Sequence, residues 1–330
     1  MNNTSSIWNK GQKLLGTKYA ILGGAMSWVS EHNLVAAISN AGGFGVLACG
    51  SMNPQQLEEE IKATQKLTSL PFGVNLITMH PQLEQLIETC KKNKISHVVL
   101  AGGLPKSYMV EALKQASIKV IAFAPALIIA KKLVKMGIDG IVIEGMEAGG
   151  HIGPVSTIVL AQEILPILKD EIPIFVAGGI GRGEAIAQFL KMGAAGCQLG
   201  TRFVCANESI AHDNFKEIFL KSQSRDTITS IQLDPNFPVI PVRAIANKGT
   251  QEFTKIQKQA IEEYNNGNLS KEAAQLMIEK HWAGALRRAV IDGDIEYGSV
   301  MAGQSVGMVS SKQSVVDIIN ELVEQTYKAY

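Results

Sequence analysis

Lys119-Val-Ile-Ala-Phe-Ala-Pro-Ala-Leu-Ile-Ile-Ala-Lys-Lys-Leu-Val-Lys-Met-Gly-Ile-Asp-Gly-Ile-Val-Ile-Glu144 holds one full period of the pattern that decides the fold. Its two ends, Lys119-Val-Ile-Ala-Phe-Ala and Gly140-Ile-Val-Ile-Glu, are apolar almost without interruption. A strand with one wet face alternates apolar and polar residues, so an unbroken apolar run reads as a parallel strand covered on both sides. Residues 127–136 between them are amphipathic, and Met136-Gly137 reads as a helix end closed by a glycine at positive φ.

The same period extends in both directions. Tyr19-Ala-Ile-Leu-Gly, Phe44-Gly-Val-Leu-Ala, Phe72-Gly-Val-Asn-Leu-Ile and His97-Val-Val-Leu-Ala precede it; Pro173-Ile-Phe-Val-Ala and Gly196-Cys-Gln-Leu-Gly follow. Amphipathic stretches at 54–67, 81–92, 157–168 and 184–192 separate these runs, and Met192-Gly193 repeats the helix-end signal. Eight alternations predict an α/β fold, a (β/α)8 TIM barrel with a helical insertion after strand 8. An open doubly wound sheet is the alternative, because a strand count does not by itself prove closure.

After Arg202 the pattern changes. Residues 207–225, 250–265, 271–280 and 281–291 read as helices with no strand between them. Asp234-Pro-Asn-Phe-Pro-Val-Ile-Pro241 reads as an extended linker, since its prolines exclude helix. Residues 314–327 read as a final helix that completes the outer ring. The expected division is a barrel over 1–205, a helical insertion or substrate domain over 206–294, and a returning segment over 295–330.

Composition narrows the function. The chain has 330 residues, 46% hydrophobic, with 31 Lys and Arg against 30 Asp and Glu. That apolar fraction is ample for a core, and the charge balance offers no field for nucleic acid or anionic membrane. Cys49, Cys90, Cys197 and Cys205 lie far apart, without metal-ligand or disulfide spacing, and read as buried free thiols of a reducing compartment. The polar opening lacks the sections of a secretory leader. The longest apolar run, 120–130, is too short to span a bilayer and contains Pro125. The expectation is a cytoplasmic protein without a metal site.

In such barrels chemistry sits at the C-terminal ends of the strands, and phosphate binds after the seventh and eighth. Ala177-Gly-Gly-Ile-Gly181 and Leu199-Gly-Thr-Arg202 occupy those places. Glycine lets backbone N–H groups approach an anion, and the helix that follows adds a favourable dipole. A phosphate-bearing ligand is expected; inorganic phosphate and a sugar phosphate fit the turns as well. His151, among glycines at the end of the sixth strand, can exchange a proton near neutral pH. Asn75 is a polar residue within an apolar strand and needs a partner, either neighbouring backbone or a ligand edge. Gly23-Gly-Ala-Met-Ser27 and Met301-Ala-Gly-Gln304 read either as tight turns or as walls of the site.

Glu147-Ala-Gly-Gly-His-Ile-Gly153, Ala177-Gly-Gly-Ile180, Gln198-Leu-Gly-Thr-Arg-Phe203 and Val74-Asn-Leu76 together resemble the nitronate monooxygenase/2-nitropropane dioxygenase superfamily of FMN barrels. Gly145-Met-Glu147, Ala211-His-Asp-Asn-Phe-Lys-Glu217, Val242-Arg-Ala-Ile245 and Gly298-Ser-Val-Met-Ala-Gly-Gln304 bring it nearest to that superfamily's flavin-dependent type II enoyl-acyl-carrier-protein reductases. The resemblance covers nearly the whole chain and implies FMN as cofactor, with NAD(P)H as co-substrate. It implies flavin contacts at Ala25, Met26, Asn75, Glu144, Gly149, Gly178 and Gly179. Gln198, Leu199, Gly200 and Thr201 would close the phosphate site, while Met301 and Gln304 would border the ring. His151 would be the catalytic or substrate-orienting group. The implied substrate is a small molecule or an acyl chain on an acyl-carrier protein, with a homodimer among the assemblies allowed. Oxidation of alkyl nitronates with O₂ is the alternative activity. A flavin-free sugar-phosphate enzyme and a flavin-binding protein without turnover complete the set of rivals.

Overall fold

Short strands close into a ring only where the first meets the last. The computed structural model describes residues 6–330; residues 1–5, where the polar opening begins, lie outside it. Its parallel strands are β1 (Ile21–Gly23), β2 (Val46–Ala48), β3 (Gly73–Ile77), β4 (His97–Ala101), β5 (Lys119–Phe123) and β6 (Gly140–Glu144). After the two-residue β7 (Gly150–His151), which stands outside the ring, come β8 (Ile174–Ala177) and β9 (Gly196–Leu199). They pair in the order β1-β9-β8-β6-β5-β4-β3-β2.

Phe44 closes the circle beside β1: its N–H donates to the Ile21 carbonyl (2.8 Å) and its carbonyl accepts from Gly23 N–H (2.9 Å). Gly43 makes this approach possible, since a Cβ there would lie 2.9 Å from the Ile21 carbonyl oxygen. The closed barrel is the expected architecture, and the open sheet is excluded. Gly137 (φ +75°) and Gly193 (φ +105°) terminate helices as the sequence predicts, and all four cysteines are buried and free.

Two end helices seal the barrel. Asn9–Leu15 covers the N-terminal mouth, burying Trp8 and Leu15 completely. Its Leu14 carbonyl accepts from His97 Nε2–H (2.8 Å) and from Lys119 Nζ (2.6 Å). Val315–Ala329 packs against both Gly183–Lys191 and His32–Asn40, completing the outer ring. Among the described residues no helix is long and apolar enough to cross a membrane.

The segment after the barrel departs from expectation in three ways. It contains strands: β10 (Thr227–Thr229) and β11 (Val242–Ile245) join β7 in an antiparallel sheet ordered β10-β11-β7. The helix expected from 207 begins only at Asp213, because buried Lys216 donates to the Ala206 and Ser209 carbonyls and holds that stretch as a loop. The two helices expected over 271–291 are one, Lys271–Val290, since no proline interrupts the chain at Lys280. Phe253 stacks on Trp282 (4.2 Å between ring centres) at the heart of a small separate core that includes Val242 and Ile278.

His97 makes the barrel floor acid-sensitive. Burial pushes its pKa down to about 4, against 6.5 for a free imidazole. Between those values the unfolded chain binds a proton that the folded chain refuses, so stability is lost as pH falls through that window. Urea titrations of the wild type are expected to lose about 3 kcal/mol from this group between pH 6.5 and 4. His97→Gln, which can still donate to Leu14, should flatten that limb.

Candidate functional site

The turns that follow β8 and β9 are neighbours because their strands are neighbours. Gly178 (φ +100°) and Gly179 (φ +69°) adopt conformations that L-residues rarely take. A Cβ on Gly178 would lie 2.7 Å from Thr157 Oγ1, and one on Gly179 would lie 2.9 Å from Glu147 Cβ. Close packing therefore already requires both glycines. Their N–H groups are a different matter. Among the described residues, no protein acceptor meets the N–H of Gly178, Gly179, Ile180 or Gly181, or that of Gly200, Thr201 or Arg202. Buried N–H donors are almost always paired, and here two adjoining sets of them open beside the first turn of the Gly183–Lys191 helix. Gly200 itself has ordinary negative φ. A Cβ there would only touch Met26 Sδ at 3.4 Å, so Met26 borders this turn from the β1 side.

Glu147 joins the walls. Its carboxylate accepts from Thr157 N–H (2.9 Å) and Thr157 Oγ1 (2.9 Å), capping the Thr157–Leu168 helix. Its carbonyl accepts from Gln304 N–H (2.9 Å). Gly303 N–H donates to Thr201 Oγ1 (2.9 Å). A Cβ on Gly149 would come within 2.6 Å of Ala302 and Gly303 backbone. Residues 147–149, 178–179, 200–201 and 301–304 thus meet at one place. Met301 bridges to Ala244 and touches both hydrophobic cores.

The remaining candidates line the barrel's upper interior. Ser30 Oγ accepts from Met26 N–H (3.0 Å) and donates to the Gly24 carbonyl (2.9 Å), fixing the loop that carries Ala25. The Leu199 carbonyl holds the same loop through Gly24 N–H (2.8 Å). Asn75 donates from Nδ2 to the Val99 carbonyl (3.0 Å), which satisfies half of its amide with neighbouring backbone. Gln198 is only 7% exposed, yet its amide makes no hydrogen bond to the described protein. Glu144 ends β6 on the floor of a cavity of about 230 Å³, walled by Phe123, Ala124, Pro125, Ile129 and Gly153. With apolar walls and no cationic partner, burial pushes its carboxyl up to about 8.

His151 lies on β7, opposite Val242 of β11, with its side chain 41% exposed. Its Nε2 stands 3.1 Å from Glu279 Oε2 on the Lys271–Val290 helix. The loop before it is clamped by buried Arg243, which donates from Nε to the Met146 carbonyl (2.8 Å) and from Nη1 to the Thr227 carbonyl (3.0 Å). The roles of Glu147, Arg243 and Glu279 do not emerge from the sequence reading. The first two stand inside quoted motifs, whereas Glu279 carries no local mark. Of the other histidines, His97 is structural and His32 sits between the carboxylates of Glu31 and Glu60, 3.0 Å from each.

Comparison with known proteins follows the same outline. A family model described as nitronate monooxygenase matches residues 9–93 and 82–325. The structure of FabK from Thermotoga maritima is 33% identical, with a TM-score of 0.84, covering 96% of this chain and 95% of that one. A 5-hydroxy-7a-methyl-1-oxo-octahydro-1H-indene-4-carboxyl-CoA dehydrogenase of Rhodococcus jostii is 28% identical, covering 96% of this chain and 95% of its own length. A probable nitronate monooxygenase of Staphylococcus aureus is also 28% identical, over 96% of this chain and 98% of its own.

Glu144 makes the fold sensitive to base. Its carboxyl titrates near 8 in the folded chain and near 4.5 unfolded, so folding takes up a proton between those values and stability falls as pH rises through them. Glu144→Gln should flatten that decline by roughly 1–3 kcal/mol in cofactor-free protein. Urea midpoints at pH 5, 7 and 8.5 provide the check.

Proposed function

The chain belongs to the nitronate monooxygenase family of oxidoreductases, and from that premise we propose that it is an FMN-dependent enzyme that reduces 2-enoyl thioesters with electrons from NAD(P)H. The observation that carries the reading is the double set of unpaired N–H groups after β8 and β9. They fit a phosphate monoester, which accepts several such bonds at once and gains from the adjoining helix dipole. The unpartnered Gln198 amide and the free side of Asn75 fit a polar ring edge in the same interior. Glu144, kept neutral below about pH 8, can donate a hydrogen bond where an ionised carboxylate can only accept. Ala25, Met26, Gly149, Met301 and Gln304 would border the ring. Bound there, FMN supplies two-electron transfer.

The protein's own share is orientation and a proton. Glu279 engages His151 Nε2, which leaves Nδ1 to exchange a proton with the substrate's α-carbon. Arg243 keeps that loop in place. The insertion, taken as 206–294, brings Glu279 to the mouth and so acts as the substrate-side unit. The thioester class is favoured by the Rhodococcus relative, whose name specifies a carboxyl-CoA. The staphylococcal relatives favour a second reading, oxidation of alkyl nitronates by O₂.

Purified native protein is expected to be yellow with a stoichiometric complement of FMN. Under anaerobic mixing, NADH or NADPH should bleach it and a crotonyl thioester should restore the colour. Bleaching by an alkyl nitronate alone would transfer the assignment to the second reading, and colourless protein that refuses FMN would end both. His151→Ala should retain FMN and lose roughly 10²–10⁴-fold in turnover; an unchanged steady-state rate would remove the histidine from the mechanism.

A further inference from the structure

The Val315–Ala329 helix completes the outer ring with apolar residues, yet it also sends polar side chains to the turns after β8 and β9. Glu321 and Gln325 stand four residues apart, on one face of that helix. Gln325 Oε1 accepts from the N–H of Gly183 (2.8 Å), the first residue of the Gly183–Lys191 helix. Thr326 Oγ1 donates to the Gly183 carbonyl (3.2 Å). A Cβ on Gly183 would lie 2.1 Å from the Leu322 carbonyl oxygen, so glycine lets the two helices meet backbone to backbone. On the other side, Glu321 Oε2 accepts from Arg202 Nη2 (2.6 Å) and from Gln313 Nε2 (3.2 Å). Glu321 Oε1 accepts from Gln325 Nε2 (3.1 Å). One chain of hydrogen bonds, Arg202–Glu321–Gln325–Gly183, therefore runs from the turn after β9 to the end of the turn after β8.

Arg202 is only 3% exposed, and its guanidinium is charged at any ordinary pH. Glu321 is its one ion-pair partner among the described residues, and Arg202 Nε and Nη1 meet no acceptor there. Such a pair is a poor source of stability: taking the charges out of water is costly, and an apolar side chain often serves a core equally well. Phe203 and Val204, the next two residues, already supply buried apolar packing. What a buried ion pair adds is a fixed distance and direction. That matters at this place. The turns 178–182 and 200–202 share no backbone hydrogen bond among the described residues, because the pairing of β8 with β9 ends at Ala177 and Gln198. The C-terminal helix is what ties them together.

We infer that Glu321 is a positioning residue for the phosphate seat: from the C-terminal helix it fixes the separation of the two sets of unpaired N–H groups, and so sets a preference for FMN over riboflavin. The inference rests on the phosphate reading above and adds the residue that holds the seat in shape. Arg202 belongs to one set of donors, and Gly183 follows the last member of the other by two residues. A phosphate gains most from donors already in place, since any donor that must be drawn into position gives back part of the binding energy. Riboflavin has the same ring and ribityl chain without the phosphate, so it makes no use of that separation.

The test titrates the full-length protein, stripped of flavin, with FMN and with riboflavin, and reads both Kd values from flavin fluorescence. Wild type is compared with Glu321→Ala and with Glu321→Gln, which keeps an acceptor for Arg202 but offers none to Gln325. Glu324→Ala is the control, since it removes only the exposed pair with Lys328 on the same helix. Glu321→Ala is expected to bind FMN at least about tenfold more weakly while riboflavin stays within about twofold of wild type. Glu321→Gln should fall between, and Glu324→Ala should match wild type. Unchanged FMN affinity in Glu321→Ala would overturn the inference. Equal loss for both flavins would overturn it too, assigning Glu321 to the stability of the barrel. Should Glu321→Ala not fold, the same ratio of Kd values in Glu321→Gln decides. Wild type that holds FMN no more tightly than riboflavin would refute the phosphate reading itself, before any variant is compared. Wild type that prefers FMN, with a ratio unmoved in the variants, would leave that reading intact and remove Glu321 alone.

Discussion

The paired hydrogen bonds between Phe44 and β1 are the constraint on which the rest depends. A curved parallel sheet has two edges until its outermost strands meet, and each edge would leave a row of unpaired peptide groups. Closure at Phe44 removes that cost, while the pairing of β1 with β9 sets the first βα loop beside the last. Met26 reaches the turn after β9 only because β1 and β9 are paired neighbours in a closed ring. The unpaired N–H groups after β8 and β9 therefore belong to the barrel as a whole, with walls supplied from residues far apart in the sequence.

Most of this barrel was legible in the residues, for a physical reason. A parallel strand covered on both faces must be apolar throughout, so all eight runs stood out, and glycines at positive φ marked helix ends. The small sheet was hidden because β10 and β11 are three and four residues long, and their pairing with β7 depends on contacts remote in sequence. The single long insertion helix was divided in the reading although nothing in its covalent structure breaks it. Lys216 shows the opposite effect: a buried amine drawing on two carbonyls overrides helical propensity across 206–209.

The candidate site was partly legible. Glycine turns, a histidine among glycines and an asparagine in an apolar strand all signal chemistry through their local setting. Asn75 proved half satisfied by backbone, so its residue type alone decided little. Glu279 could not be found in this way, because its meeting with His151 is made by the packing of the insertion over β7 and leaves no trace in either stretch.

Residues 301–304 are stitched to Glu147 and Thr201 by Gln304 and Gly303. This fastening has a consequence for biosynthesis. The strands of the ring have all left the ribosome well before residues 301–304 have been made. Until residues 301–304 are present, Glu147 and Thr201 lack the partners that close this side of the recess. Assembly of the recess is therefore ordered by the chain's own connectivity, with its last wall available only after residues 301–304 have been made.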